Sequence, residues 1–138
     1  MKFPSTVSDI MNELITIEAS TFIEEASKTM IDNNIGSIIV TVDGKPEGII
    51  TRSDMLARVI VAYKDPRLYL TKTIMSSPLI SVSKDIGILD AMRVMRDKDI
   101  KYLLIEDDGK YVGILSEKDM IRAVTLSSLT QFSTILKR

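Results

Sequence analysis

The chain has no cysteine, no histidine and no tryptophan, and only three phenylalanines in 138 residues. Without cysteine there are no disulfides, no thiolate metal ligands and no thiol nucleophile. Without histidine there is no imidazole ligand and no imidazole general base. Acid–base chemistry would rest on carboxylates, lysine and tyrosine, and no Gly-x-x-x-x-Gly-Lys phosphate loop accompanies them. The pattern predicts neither a catalytic residue nor a metal site. Long apolar runs are missing as well: no stretch of ~18 apolar residues is present to span a bilayer. Met1-Lys2-Phe3-Pro4-Ser5 lacks the apolar centre of a signal peptide, so a cytoplasmic protein is expected. An excess of one charge is also absent. Eighteen Lys and Arg stand against 19 Asp and Glu, so no basic stripe points to nucleic acid.

What is present is a repeat. Gly48-Ile49-Ile50-Thr51-Arg52-Ser53-Asp54-Met55 returns as Gly113-Ile114-Leu115-Ser116-Glu117-Lys118-Asp119-Met120. The offset of 65 residues holds without gaps from Ile15 to Val59, where 14 of 45 positions are identical. A fixed internal period is read before any other signal, because it sets the architecture. Repeats of about 60 residues would each be marginal alone, so the two are expected to share a core.

Each copy reads the same way. A short helical turn opens it, at Val7–Met11 and at Leu70–Met75. A short strand follows, at Leu14–Ile17 and Leu79–Val82. Then comes an amphipathic helix. In the first copy Ile23, Ala26 and Met30 recur at helical spacing, and Thr21 with Glu24 has capping-box spacing. In the second, Ile88, Ala91, Met92 and Met95 do the same. The segments 36–42 and 102–105 are continuous apolar strands. Asp43-Gly44 and Asp108-Gly109 are tight-turn signals before a returning strand. Helices are predicted from Thr51 to about Val61 and from Ser116 to about Val124. Met30, Met55, Met95 and Met120 read as packing residues. The expected division is a first repeat over 1–62, a linker over 63–72, a second repeat over 73–125, and a C-terminal tail or short helix over 126–138. In that last segment Leu126, Leu129, Phe132, Ile135 and Leu136 are spaced to line one helix face.

The doubled β-α-β-β-α order, with Gly-Ile-x-[Thr/Ser]-x-x-Asp at the last strand–helix junction, resembles a pair of cystathionine β-synthase (CBS) domains, a Bateman module. Ile10-Met11 and Ile74-Met75 resemble the pair that often opens each such repeat. The resemblance covers roughly residues 7–125. It implies an α/β (α+β) fold with two repeats packed about a pseudo-twofold axis. It implies a stand-alone, non-catalytic regulatory module that binds adenosyl ligands such as AMP, ADP, ATP or S-adenosylmethionine and signals to an unidentified regulated protein. It further implies a homodimer formed through helices, for which Met55-Leu56-Val59-Ile60 and Met120-Ile121-Val124 are the natural faces. The alternative is an interaction or scaffold protein with this fold and no ligand.

A ribose diol is well matched by a carboxylate, which accepts hydroxyl protons, and phosphate by a cation. In modules of this kind each cleft is shared between repeats. By that resemblance, site A would combine Thr51, Arg52 and Asp54 with Leu79, Ile80, Ile100, Lys101 and Tyr102. Site B would combine Ser116, Lys118 and Asp119 with Leu14, Ile15, Ile35, Gly36 and Ser37. Lys101 at the position matched by Gly36 makes site A the readier for a nucleotide. Thr51-x-x-Asp54 and Ser116-x-x-Asp119 also have the spacing of a helix cap, and one residue pair can cap and bind at once.

Overall fold

Both copies of the strand–helix–strand–strand pattern form as predicted. The computed structural model describes the backbone of residues 5–136 and side chains as far as residue 126. In the first copy β1 (Thr16–Glu18), α1 (Ile23–Asp32), β2 (Ser37–Val42) and β3 (Lys45–Thr51) lead into a short helix α2 (Arg52–Met55). In the second, β4 (Ser81–Ser83), α3 (Ile88–Lys98), β5 (Tyr102–Asp107) and β6 (Lys110–Ser116) lead into α4 (Glu117–Leu136). Each sheet has three strands: β1 runs parallel to β2 and β2 antiparallel to β3, with β4, β5 and β6 repeating the arrangement. The fold is therefore mixed α/β.

The strands are apolar for a reason visible in their burial. Ile38 and Val40 of β2 pack into the helix-side core, while Ile39, pointing the other way, is also buried. A strand dry on both faces reads as a continuous apolar run rather than an alternation. Asp43 and Gly44 both have positive φ, as do Asp108 and Gly109, so both hairpins close with the backbone that an Asp-Gly pair favours.

The chain divides into two compact units, and their borders are not those of the repeats. One is Leu14–Leu79; the other joins Met1–Glu13 to Ile80–Arg138. The segment that opens the chain thus belongs with the second repeat, where Thr6 bridges Gly87 and Asn12 bridges Ile114. The expected linker and the turn that follows it belong with the first, where Phe22 bridges Leu70 and Ile49 bridges Ser76. In both units the bridge lies against β3 or β6, strands that would otherwise present an open edge. The cores follow the same division. Ile23, Ala26 and Met30 of α1 meet Ile38, Val40, Ile50, Val59 and Ile74. Ile88, Ala91 and Met95 of α3 meet Val7, Leu103, Ile105, Leu115 and Met120.

Three local expectations are corrected. Thr21 and Glu24 do not cap α1. Its N-cap is Phe22, and the Thr21 hydroxyl donates to the Glu18 carbonyl at 2.7 Å. The free amides of Ile23 and Glu24 instead donate to the carbonyls of Tyr69 and Pro66, at 3.0 and 2.9 Å. A distant loop therefore satisfies the helix end. That loop is braced by Arg67, whose hydrogen bonds to Asp65 hold the Asp65 carboxyl down at about 2. Second, the helix predicted from Thr51 to Val61 is α-helical only to Met55 and continues as a π turn over Leu56–Ile60. Third, α4 does not stop near Val124 but continues to Leu136 as one helix of 20 residues, so 126–136 is neither a tail nor a separate helix. The apolar face expected of Leu129, Phe132, Ile135 and Leu136 lies outside the described side chains.

Candidate functional site

At each strand–helix junction the same knot of hydrogen bonds forms. Thr51 is the N-cap of α2: its hydroxyl accepts the Asp54 amide at 3.3 Å, and Asp54 Oδ2 accepts the Thr51 amide at 2.9 Å and the Thr51 hydroxyl at 3.1 Å. In the second copy the Ser116 hydroxyl accepts the Asp119 amide at 3.1 Å. Asp119 Oδ2 accepts the Ser116 amide at 3.0 Å and its hydroxyl at 2.7 Å. Both are reciprocal capping boxes. The first amide of each helix is engaged too: Arg52 N–H donates to the Gly36 carbonyl at 3.2 Å and Glu117 N–H to the Lys101 carbonyl at 2.8 Å. One oxygen of each carboxylate is thus held by the cap, which leaves at most the other for an incoming hydroxyl.

A third donor reaches each carboxylate from the turn that opens a repeat. Asn12 Nδ2 donates to Asp119 Oδ2 at 2.8 Å, and the Ser76 hydroxyl donates to Asp54 Oδ1 at 3.4 Å. Arg58 adds a cation, with Nε 3.7 Å from Asp54 Oδ1. Asn12, Ser76 and Arg58 were not singled out in the sequence. The signal available for two of them was a polar residue directly after Ile10-Met11 and Ile74-Met75. The repeated glycine explains how that turn comes so close. A Cβ on Gly48 would stand 2.6 Å from Met75 Sδ, and one on Gly113 would stand 2.6 Å from Met11 Sδ. A side chain at either glycine would have to push that methionine aside, and at Gly113 it would also press on the Asn12 carbonyl oxygen at 3.0 Å.

The remaining expected residues fall as follows. Thr51, Arg52, Asp54 and Leu79 belong to one unit with Leu14, Ile15, Ile35, Gly36 and Ser37. Ile80, Ile100, Lys101, Tyr102, Ser116, Lys118 and Asp119 belong to the other. Arg52, Lys101 and Lys118 are exposed cations without an ion pair among the described residues. Ser37 is buried; Leu14, Ile15, Leu79, Ile80, Ile100 and Tyr102 are half-buried. Ile100 and Lys101 also line a groove of about 510 Å³ between α3 and the start of α4, with Leu89, Met92, Met120 and Ile121. That groove holds neither Ser116 nor Asp119. Of the expected pairing faces, Val59 and Met120 are buried in the cores, whereas Leu56, Ile60, Ile121 and Val124 are exposed. Among the described residues no cluster of acidic side chains could hold a metal ion, and no helix is long and apolar enough to cross a membrane.

The repeated knot is matched by a family signature. The CBS-domain profile fits residues 7–61 and fits again over 72–126. The chain belongs to the CBS-domain family. CBS domain pairs are usually regulatory rather than enzymatic. This CBS pair is 33% identical over 100 residues to an uncharacterized protein of Methanopyrus kandleri, a match covering 71% of this chain and 51% of that one. It spans about half or less of the length of the first curated relatives it matches. A solved structure of an uncharacterized conserved protein from Pyrococcus horikoshii superposes with a TM-score of 0.81 at 32% identity, covering 90% of this chain and 95% of that one. A hexameric CBS-CP12 protein from bloom-forming cyanobacteria shares the fold, with a TM-score of 0.76 at 24% identity over 84% of this chain and 69% of that one.

Proposed function

We propose that this CBS pair is a non-catalytic sensor in which Asp54 and Asp119 are alternative anchors for the ribose of an adenosyl ligand of the AMP, ADP, ATP or S-adenosylmethionine type. The observation that carries the reading is the third donor on each carboxylate. A helix cap needs only the reciprocal pair, which both copies complete with Thr51 or Ser116 alone. Asn12 and Ser76 add orientation that capping does not require, and a carboxylate fixed in advance is what a diol site needs. The exposed cations Arg52, Lys101 and Lys118 supply the positive charge a phosphate would seek. Apolar residues left exposed at Leu56, Ile60, Ile121 and Val124 favour self-association through the helices, with a homodimer as the simplest assembly. The output is a change of shape read by a regulated protein in the cytoplasm.

Thermal unfolding with AMP, ADP, ATP, S-adenosylmethionine and GTP tests this, using the wild type, Asp54→Ala and Asp119→Ala. A ligand at about 100 times its Kd adds roughly 2.7 kcal/mol per site. At about 2–6 °C per kcal/mol, the midpoint rises by several degrees. Losing half of a capping box lowers the ligand-free stability of either variant by about 0.5–2 kcal/mol, so each is compared with its own ligand-free state. Adenosyl compounds alone should stabilise the wild type, and at least one variant should lose the shift. No shift from any compound would leave two capping boxes and an interaction protein.

A further inference from the structure

The two carboxylates are not equivalent, and we infer that Arg58 makes them so: it engages the Asp54 oxygen that a ribose hydroxyl would take, leaving Asp119 as the anchor that fills first. This inference rests on the adenosyl reading above. Asp54 Oδ2 is held by the Thr51 amide and hydroxyl, and Oδ1 faces Arg58 at 3.7 Å and the Ser76 hydroxyl at 3.4 Å. Both oxygens therefore already face a donor. Asp119 gathers all its donors, from Ser116 and Asn12, on Oδ2. Its Oδ1 has no partner among the described residues.

Arg58 is not a loose surface cation. Its Nη1 donates to the carbonyls of Ile74 and Met75, at 3.2 and 3.0 Å, so the guanidinium is tied to the same Ile-Met turn that delivers Ser76. It sits inside the π turn Leu56–Ile60, a helix form often retained at functional positions. The second repeat has neither feature. α4 is regular there, and the position 65 residues on from Arg58 is the buried Ala123. The two anchors thus differ at two positions that touch the carboxylate, Ser76 against Asn12 and Arg58 against Ala123, and of these only Arg58 brings a charge. The preference for Thr51 and Asp54 that Lys101 suggests in the sequence is reversed. The contact is long and Arg58 is about half exposed, so it weakens the Asp54 anchor without closing it.

Calorimetric titration of the full chain with AMP and with adenosine tests this, in the wild type, Arg58→Gln, Asp119→Asn and the Arg58→Gln/Asp119→Asn double variant. The wild type should bind one ligand per chain tightly, and Asp119→Asn should weaken that binding at least tenfold. Arg58→Gln should gain a second site, or tighten a weak one about tenfold, for adenosine as well as AMP, because the gain is one charge-assisted hydrogen bond. The double variant should keep that site alone. Should Arg58→Gln fail to fold once the Ile74 and Met75 carbonyls lose their donor, Arg58→Lys, which keeps the charge without the fork, should show a smaller gain. Unchanged stoichiometry and affinity in the folded Arg58 variant would overturn the inference and leave the adenosyl reading intact. Weaker AMP binding with unchanged adenosine binding would also overturn it, making Arg58 a phosphate ligand. No binding of either compound by any variant would remove the adenosyl reading itself.

Discussion

Leu103→Ala should lower the stability of the chain by about 2–5 kcal/mol, the range for emptying a well-packed Leu position. Leu103 lies in β5, is fully buried, and packs in a cluster with Met95, Leu115 and Met120. The strand is paired on both sides, by β4 and β6, so its backbone cannot move in to fill the space. At about 2–6 °C per kcal/mol the melting midpoint should fall by about 4 °C or more. Leu89 is the control: it is a leucine of α3 that is 62% exposed, and its replacement by alanine should change stability by no more than about 0.5 kcal/mol. Urea unfolding of both variants measures the difference. A Leu103→Ala cost under about 1 kcal/mol would mean that β5 is not held between its neighbours as described.

Gly113→Ala should cost about 1–3 kcal/mol, the range for forcing extra volume into a packed place. The added Cβ would stand 2.6 Å from Met11 Sδ, 2.9 Å from Met11 Cγ and 3.0 Å from the Asn12 carbonyl oxygen. Met11 can turn aside, but the Asn12 carbonyl is fixed: it accepts the Ile114 amide at 3.0 Å, and the Asn12 amide donates back at 2.9 Å. Relief would push this bridge away and take the Asn12 side chain off Asp119. At Gly48 the three atoms nearest the same methyl all belong to the Met75 side chain, which can turn aside, so Gly48→Ala should cost less. Comparing the two midpoints checks the order. Equal losses, or a larger loss at Gly48, would contradict the backbone clash at Asn12.

The residues that the sequence made legible are those whose signal is local or repeated. Ile23, Ala26 and Met30 lie at helical spacing and are buried together, as are Ile88, Ala91 and Met95. Asp43-Gly44 and Asp108-Gly109 turn as their chemistry requires. The bonding of Thr51 to Asp54 and of Ser116 to Asp119 was also readable, since three residues of spacing bring them to one helix end. What was hidden depends on contacts distant in sequence. Thr21 has every local mark of a cap, but the carbonyls of Pro66 and Tyr69 arrive first. Asn12 reaches Asp119 across 107 residues. Arg58 is four residues from Asp54, a spacing ordinary enough on a helix to pass unnoticed, and its meaning comes from Ile74 and Met75 holding it there. The exchange of opening segments between repeats is hidden in the same way. A 65-residue offset says which residues match, not which copy each segment packs upon.

A carboxylate that reads a ribose diol is tested most directly by comparing AMP with its 2′,3′-dideoxy analogue in calorimetric titrations of the wild-type chain. The two ligands share base and phosphate and differ only in the hydroxyls that Asp54 or Asp119 would accept. A hydrogen bond to a charged group contributes about 1.5–3 kcal/mol, so the analogue should bind roughly ten- to a hundredfold more weakly than AMP. Equal affinity for the two compounds would contradict the account, because the carboxylates would then be helix caps and whatever bound the nucleotide would not be using them.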